Sequence, residues 1–157
     1  MNVSRGGIPK RAVSEAMITT LGLEGDSCAH PLIHGGPDQR VLIVAAEAVD
    51  DLAALGFPVF YGALGENLTV RGVPLESLRA GQTWRAGDAI LELTKIRVPC
   101  GALDVYGPGI RQEIYDTRVR QGDTSSPAWA RSGFYASVRR PGRVSPGAPF
   151  ELMFELA

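Results

Sequence analysis

Cysteine is nearly missing from this sequence. Cys28 and Cys100 are the only two, too few and too isolated for a disulfide framework or a four-ligand zinc site. A surplus of either charge is missing too. Sixteen Lys and Arg stand against 17 Asp and Glu, a net charge of -1, so no global field draws the chain to nucleic acid or to an anionic membrane. Any anion site must be local. No run approaches the ~20 apolar residues of a spanning helix, and the opening residues lack the apolar stretch of a secretory signal. The expected compartment is therefore the cytosol, with no membrane or nucleic-acid partner. Internal repeats, low-complexity tracts and linkers are also lacking, and the 19 Gly and 11 Pro are spread along the chain. One domain over residues 1–157 is expected, a length that buries about 70% of the surface of its unfolded chain.

What is present is a series of short apolar runs between Gly and Pro, the pattern of strands joined by tight turns in a barrel or sandwich. Residues Arg40 to Val44 form a continuous, β-branched apolar run, which predicts a strand buried on both faces. Thr83 to Arg85 and Ala89 to Thr94 flank Ala86-Gly87-Asp88, a three-residue loop that favours a hairpin. Near the end, alternation puts Phe150, Leu152, Phe154 and Leu156 on one face, expected to be core. Leu42, Ile43, Leu93, Leu152 and Phe154 are thus the expected buried anchors. One helix is expected from Ala46 to Leu55, stopped by Gly56 and Pro58. A second is expected near Pro108 with Ile110 and Ile114, and Ser126-Pro127 has the chemistry to start a third. The expectation is a mainly β fold with a few short helices.

Several segments carry candidate chemistry. Residues 3–11 hold three cations and no acid beside Gly6-Gly7, a pair that permits close backbone approach. Successive N–H groups in such a turn can cradle an anion, to which Arg5 would add a planar fork. Judged alone, an exposed basic turn is the simpler reading. His34-Gly35-Gly36-Pro37-Asp38-Gln39-Arg40 leads directly into the buried strand and can place ligand-binding groups on a rigid support, although the same residues also make ordinary turns. His30 and His34 have the spacing of a helical zinc pair, but Pro31 breaks a helix between them and no glutamate sits where such a site needs one. Gly65-Glu66-Asn67 precedes another strand, and Asn67 has both donor and acceptor for the edge of a heterocycle, or for its own turn. Arg97-Val98-Pro99-Cys100-Gly101 sets a thiol at a strand end. A thiol is only a few per cent thiolate at neutral pH, and a nearby cation such as Arg97 or a bound metal raises that fraction. A lone cysteine often only fills space, the role expected of Cys28.

Together these segments resemble the MOSC family, named for the C-terminal domain of molybdenum-cofactor sulfurase, and within it the stand-alone bacterial YiiM-like branch. Val3-Ser4-Arg5-Gly6-Gly7-Ile8-Pro9-Lys10, Gly22-Leu23-Glu24-Gly25-Asp26, His34-Gly35-Gly36-Pro37-Asp38, Gly65-Glu66-Asn67-Leu68 and Arg97-Val98-Pro99-Cys100 occur in the family's order. Ser132 to Val138 and Gly142 to Gly147 look like its closing strands. The chain departs from the pattern at His30 and Ala148, where acids are common. The resemblance implies a MOSC-type β-barrel and a molybdenum cofactor, a molybdopterin. It also implies that Cys100 either ligates molybdenum or carries persulfide sulfur. It places Arg5, His34, Gly35, Gly36, Arg40, Asn67 and Arg97 around the cofactor. An anionic, phosphorylated heterocycle calls for such cationic and backbone donors, and molybdenum's affinity for sulfur suits a thiolate. The implied function is an oxidoreductase acting on a small N-hydroxylated compound, with electrons from a separate redox protein. The alternative is a non-catalytic carrier of the cofactor or of sulfur, served by a sulfur-donor protein. A metal-free interaction domain is the third class. No room is expected for the extra N-terminal domain of the mitochondrial amidoxime-reducing relatives or for a ferredoxin module.

Overall fold

A computed structural model of the protein describes residues 1–27 and 35–154, the last of these in its backbone alone. Its eleven described strands run β1 (Asn2–Val3), β2 (Arg11–Ala12), β3 (Ala16–Thr19), β4 (Gly22–Leu23), β5 (Val41–Ala45), β6 (Leu68–Val70), β7 (Thr83–Ala86), β8 (Ala89–Ile96), β9 (Phe134–Arg140), β10 (Gly142–Val144) and β11 (Phe150–Phe154). The helices are α1 (Ala46–Ala54), α2 (Ile110–Ile114) and α3 (Thr117–Arg120), with short 3-10 turns between. The fold is mainly β, a curled half-barrel with few short helices.

The main sheet has six strands in the order β11-β7-β8-β9-β5-β6, beside a three-stranded sheet β10-β3-β4 and the pair β1-β2. β5 is its hinge of packing. It pairs antiparallel with β9 and parallel with β6, and all five of its residues are buried. Val41 and Ile43 face one apolar cluster with Leu68, Leu91, Leu93 and Phe134, whereas Leu42 and Val44 face a second with Leu52, Leu64, Leu103 and Ile110. Period-two alternation with cover on both sides is what the unbroken apolar run encodes.

α1 follows β5 at once and ends in a Schellman cap. Gly56, at φ 95°, donates to Ala53 O, and Phe57 N donates back to Leu52 O. Gly supplies the left-handed backbone this cap requires. The β7–β8 hairpin forms as expected, but Ala86 pairs with Ala89, so the loop is the two residues Gly87-Asp88 instead of three.

Two further expectations are corrected. Leu152 is not core: it is 44% exposed, because β11 is the edge of the sheet and only β7 covers it. The face it shares is held by Phe150 alone among its described side chains, stacked on Trp84 at 4.8 Å. Phe154's side chain and Leu156 lie outside the described residues. Nor does Ser126 start a helix, since its hydroxyl donates to Asp116 Oδ2 and accepts from Ala128 N within a run of turns. The capping role belongs to Asp116, whose Oδ1 accepts from Val119 N at the start of α3. No described helix is long and apolar enough to cross a membrane.

Candidate functional site

Segments far apart in sequence close around one cavity of about 210 Å³. The strand β8 ends at Ile96, and the next residues are pinned to the start of β9: Arg97 N donates to Gly133 O, and Ser132 Oγ donates to Arg97 O at 2.7 Å. Gly133 has φ 90°, and a Cβ there would meet Ile43 O at 2.4 Å, so only glycine lets this bend lie against β5. The chain then delivers Cys100, half-buried in the cavity wall, where its carbonyl accepts from Leu103 N and opens a 3-10 turn over Gly101–Tyr106.

The opposite wall comes from the basic segment and the loop before β6. Lys10 N donates to Gly62 O, and Gly62 is so close that a Cβ would come within 2.3 Å of Lys10 O. Asp26 ties this wall together. Its Oδ1 accepts from Ser4 N, and its Oδ2 accepts from Lys10 Nζ and from Asn67 Nδ2. Arg40 enters from the turn ahead of β5, with its backbone N–H on Ala136 O.

Among the described residues of the lining, the charged ones are Lys10, Arg40 and Arg97 against the single acid Asp26, so this described wall is net cationic although the chain is not. Two buried guanidinium nitrogens there, Arg40 Nε and Arg97 Nη1, have no hydrogen-bond partner among the described residues. Such an atom costs about 1–3 kcal/mol if left unpaired. Arg97 is 6% exposed, and its Nη2 donates to Leu64 O. Burial pushes its pKa down, opposed by Tyr135, Cys100 and Glu66. The donor set, cations aimed inward beside a thiol, fits an anionic group that carries a sulfur-seeking metal.

Of the residues singled out in the sequence, Cys100, Arg40, Asn67 and Arg97 all line this cavity. Asn67 contributes little free polarity: Oδ1 accepts from Leu42 N and Nδ2 donates to Asp26 and Asn2 O. Arg5 is exposed and outside the lining, and the cation that its segment turns inward is Lys10. Gly35 and Gly36 stand outside the lining, which takes Gln39 from that turn. His34 and Cys28 lie outside the described residues. The sequence reading passed over Glu66, Tyr106 and Tyr135. Glu66 is 0% exposed, with Oε1 accepting from Gly62 N and Thr69 Oγ1. An acid between Gly and Asn looks like a surface turn, and only its place in a motif that otherwise packs against the cavity could have signalled burial.

Comparison with known proteins agrees with this geometry. A family profile described as "MOSC domain" matches residues 30–151. The uncharacterized protein YflK of Bacillus subtilis is 36% identical over 149 residues, covering 94% of this chain and 63% of that protein. Protein YiiM of Escherichia coli is 32% identical over 147 residues, covering 88% and 59%. The crystal structure of YiiM from Geobacillus stearothermophilus superposes with a TM-score of 0.67 at 25% identity, over 94% of this chain and 65% of that one. That of YiiM from Escherichia coli gives 0.67 at 28% identity, over 99% and 69%. The chain spans about three fifths of the length of the curated relatives it matches. MOSC domains are associated with molybdenum-cofactor binding. The chain belongs to the MOSC domain family.

Proposed function

We propose that this protein binds a molybdenum cofactor in the cavity and is a reductase of N-hydroxylated compounds. The observation that carries the binding is the pair of buried guanidinium nitrogens of Arg40 and Arg97 that have no partner among the described residues, on a wall that also presents Cys100. Arg40 and Lys10 would hold the anionic pterin and phosphate end, and Cys100 would offer its sulfur to the metal. When bound, the group supplies two-electron reduction at molybdenum. The chain's own part is to orient and to screen. Leu42, Leu64 and Ile8 give the cavity apolar flanks, which strengthen every charge interaction inside it. Electrons would come from a separate redox protein, and the substrate would be a small molecule.

The test is metal and pterin analysis of protein made in a host that assembles the cofactor. Near-stoichiometric molybdenum is expected in the parent and in Cys28→Ser, with loss in Cys100→Ser. Serine is nearly isosteric but a far poorer soft-metal ligand. Equal molybdenum in Cys100→Ser would end the ligand assignment. Turnover of an N-hydroxylated amidine with an artificial reductant separates a reductase from a cofactor or sulfur carrier, which would use the same thiol and turn over nothing.

A further inference from the structure

Asp26 is the one acid among the described residues of the cavity lining. By charge alone it works against an anion there. Its bonds explain its place. The carboxylate joins three segments far apart in sequence: Oδ1 accepts from Ser4 N at 2.9 Å, and Oδ2 accepts from Lys10 Nζ at 2.5 Å and from Asn67 Nδ2 at 2.8 Å. A further bond, from Ser27 N to Ser4 O at 2.8 Å, closes the clasp on the basic segment. Lys10 is thereby fixed at both ends, its backbone N–H on Gly62 O at 2.9 Å and its ammonium on Asp26. The Lys10 and Asp26 side chains are only 12% and 14% exposed. An ammonium has three donors. Asp26 is the sole acceptor that the described residues give this one, so donors remain for a ligand in the cavity that Lys10 lines. Arg5, the cation of the same segment without such a tether, is exposed and outside the lining.

We propose that Asp26 is a positioning residue: it does not touch the bound ligand but holds the Lys10 ammonium where it grips a phosphate group. For the identity of the ligand this rests on the cofactor reading above. Arg40, whose buried Nε has no partner among the described residues, lines the same cavity as Lys10. A point charge together with a planar fork is a donor set suited to phosphate. A lysine stem is long and flexible, and fixing it in advance removes the ordering cost from the binding step. The pair also offsets its own charges, so the excess positive charge of the described wall comes from Arg40 and Arg97, and Lys10 contributes a placed donor. Two effects of Asp26 therefore have opposite signs. Its charge opposes an anion, and its hold on Lys10 favours one. The hold wins, because Lys10 and Asn67 already cover the carboxylate with hydrogen bonds, whereas its loss sets the whole lysine stem free.

The test is a titration of the cofactor-free protein with inorganic phosphate, followed through the NMR signals of the Gly7, Ile8 and Lys10 amides. Asp26→Asn should weaken phosphate on the order of tenfold, although by charge alone the loss of an acid tightens it. In a Lys10→Met background, with no ammonium to hold, Asp26→Asn should instead tighten phosphate. A merely structural role does not give that reversal of sign. Tighter or unchanged binding in Asp26→Asn overturns the proposal. So does weakening within the Lys10→Met pair, which carries the test if Asp26→Asn alone does not fold. A parent whose amides do not respond to phosphate overturns it as well. Molybdenum and pterin analysis after expression in a cofactor-making host separates the proposal from the reading it rests on. With the parent loaded, loss of both from Asp26→Asn supports the two together, whereas full loading of Asp26→Asn overturns the positioning and leaves the cofactor reading standing. A parent that holds neither, yet shows the reversal with phosphate, overturns the cofactor reading and leaves Asp26 as the positioning residue of a phosphate site.

Discussion

At the scale of single residues, charge burial decides what Arg97 and Glu66 can do. A guanidinium stays protonated in proteins, so the almost fully buried Arg97 keeps its charge against a pull from burial that lowers its pKa and that Tyr135, Cys100 and Glu66 oppose. Glu66 is placed the other way, with burial outweighing its hydrogen bonds and lifting its pKa above the ordinary glutamate value of 4.5. A raised pKa means the folded chain binds this proton more tightly than the unfolded one. The stabilisation it gives is full below the ordinary value and is lost as pH rises through the raised one. Glu66→Gln, neutral throughout, should therefore gain stability on the parent as pH rises above the ordinary glutamate value. Urea unfolding at a series of pH values reads this directly. Parallel stability curves would mean that the carboxyl feels no net penalty from burial. None of this is visible in the string Gly-Glu-Asn, because polarity in a sequence does not say which side of a loop meets solvent.

Secondary elements were legible in proportion to how local their causes are. β5 announces itself because burial on both faces leaves no polar residue among its five. α1 does so because its stop, Gly56 before Phe57 and Pro58, is local backbone chemistry. The short α3 was missed: its cap, Asp116, stands one residue after Tyr115 with no apolar period to draw attention, while Ser126-Pro127 offered a better-looking start. For β11 the alternation was read correctly and its meaning was not. Periodicity tells which side chains share a face, whereas cover depends on what packs over it, and β11 is an edge. Leu93 and Leu152 make the contrast measurable. Leu93, 1% exposed in the middle of the sheet, should lose on the order of 2–5 kcal/mol when cut to Ala. Leu152→Ala should stay within about 0.5 kcal/mol of the parent, as surface changes do. Comparable losses in thermal or urea unfolding would show that Leu152 is covered after all.

On the scale of the whole molecule, the site exists only because the curled sheet brings residues 8–10, 26, 40, 64–67 and 97–100 to one place. The sequence displays these as separate turns, each weak, and only their family order joins them. It could not say that Lys10 would face inward and Arg5 outward, which depends on how loop 62–67 docks on the basic segment. The gathered cations also set how the molecule responds to its ligand. Lys10, Arg40 and Arg97 line one cavity whose described residues include one acid, Asp26, so an anion bound there would be favoured by all three charges. A ligand that binds only the folded state adds RT ln(1 + [L]/Kd), about 2.7 kcal/mol at a hundredfold excess over Kd. At roughly 2–4 °C per kcal/mol for a domain of this size, cofactor-loaded protein should melt roughly 5–10 °C above cofactor-free protein. Arg40→Ala separates this linkage from plain packing, because it removes a buried nitrogen that has no partner among the described residues and one of the cavity's positive charges. Its cofactor-free melting temperature should therefore match or slightly exceed the parent's, while its gain on loading shrinks. Calorimetry on the four samples decides the matter, and an equal gain in parent and variant would take Arg40 out of the binding site.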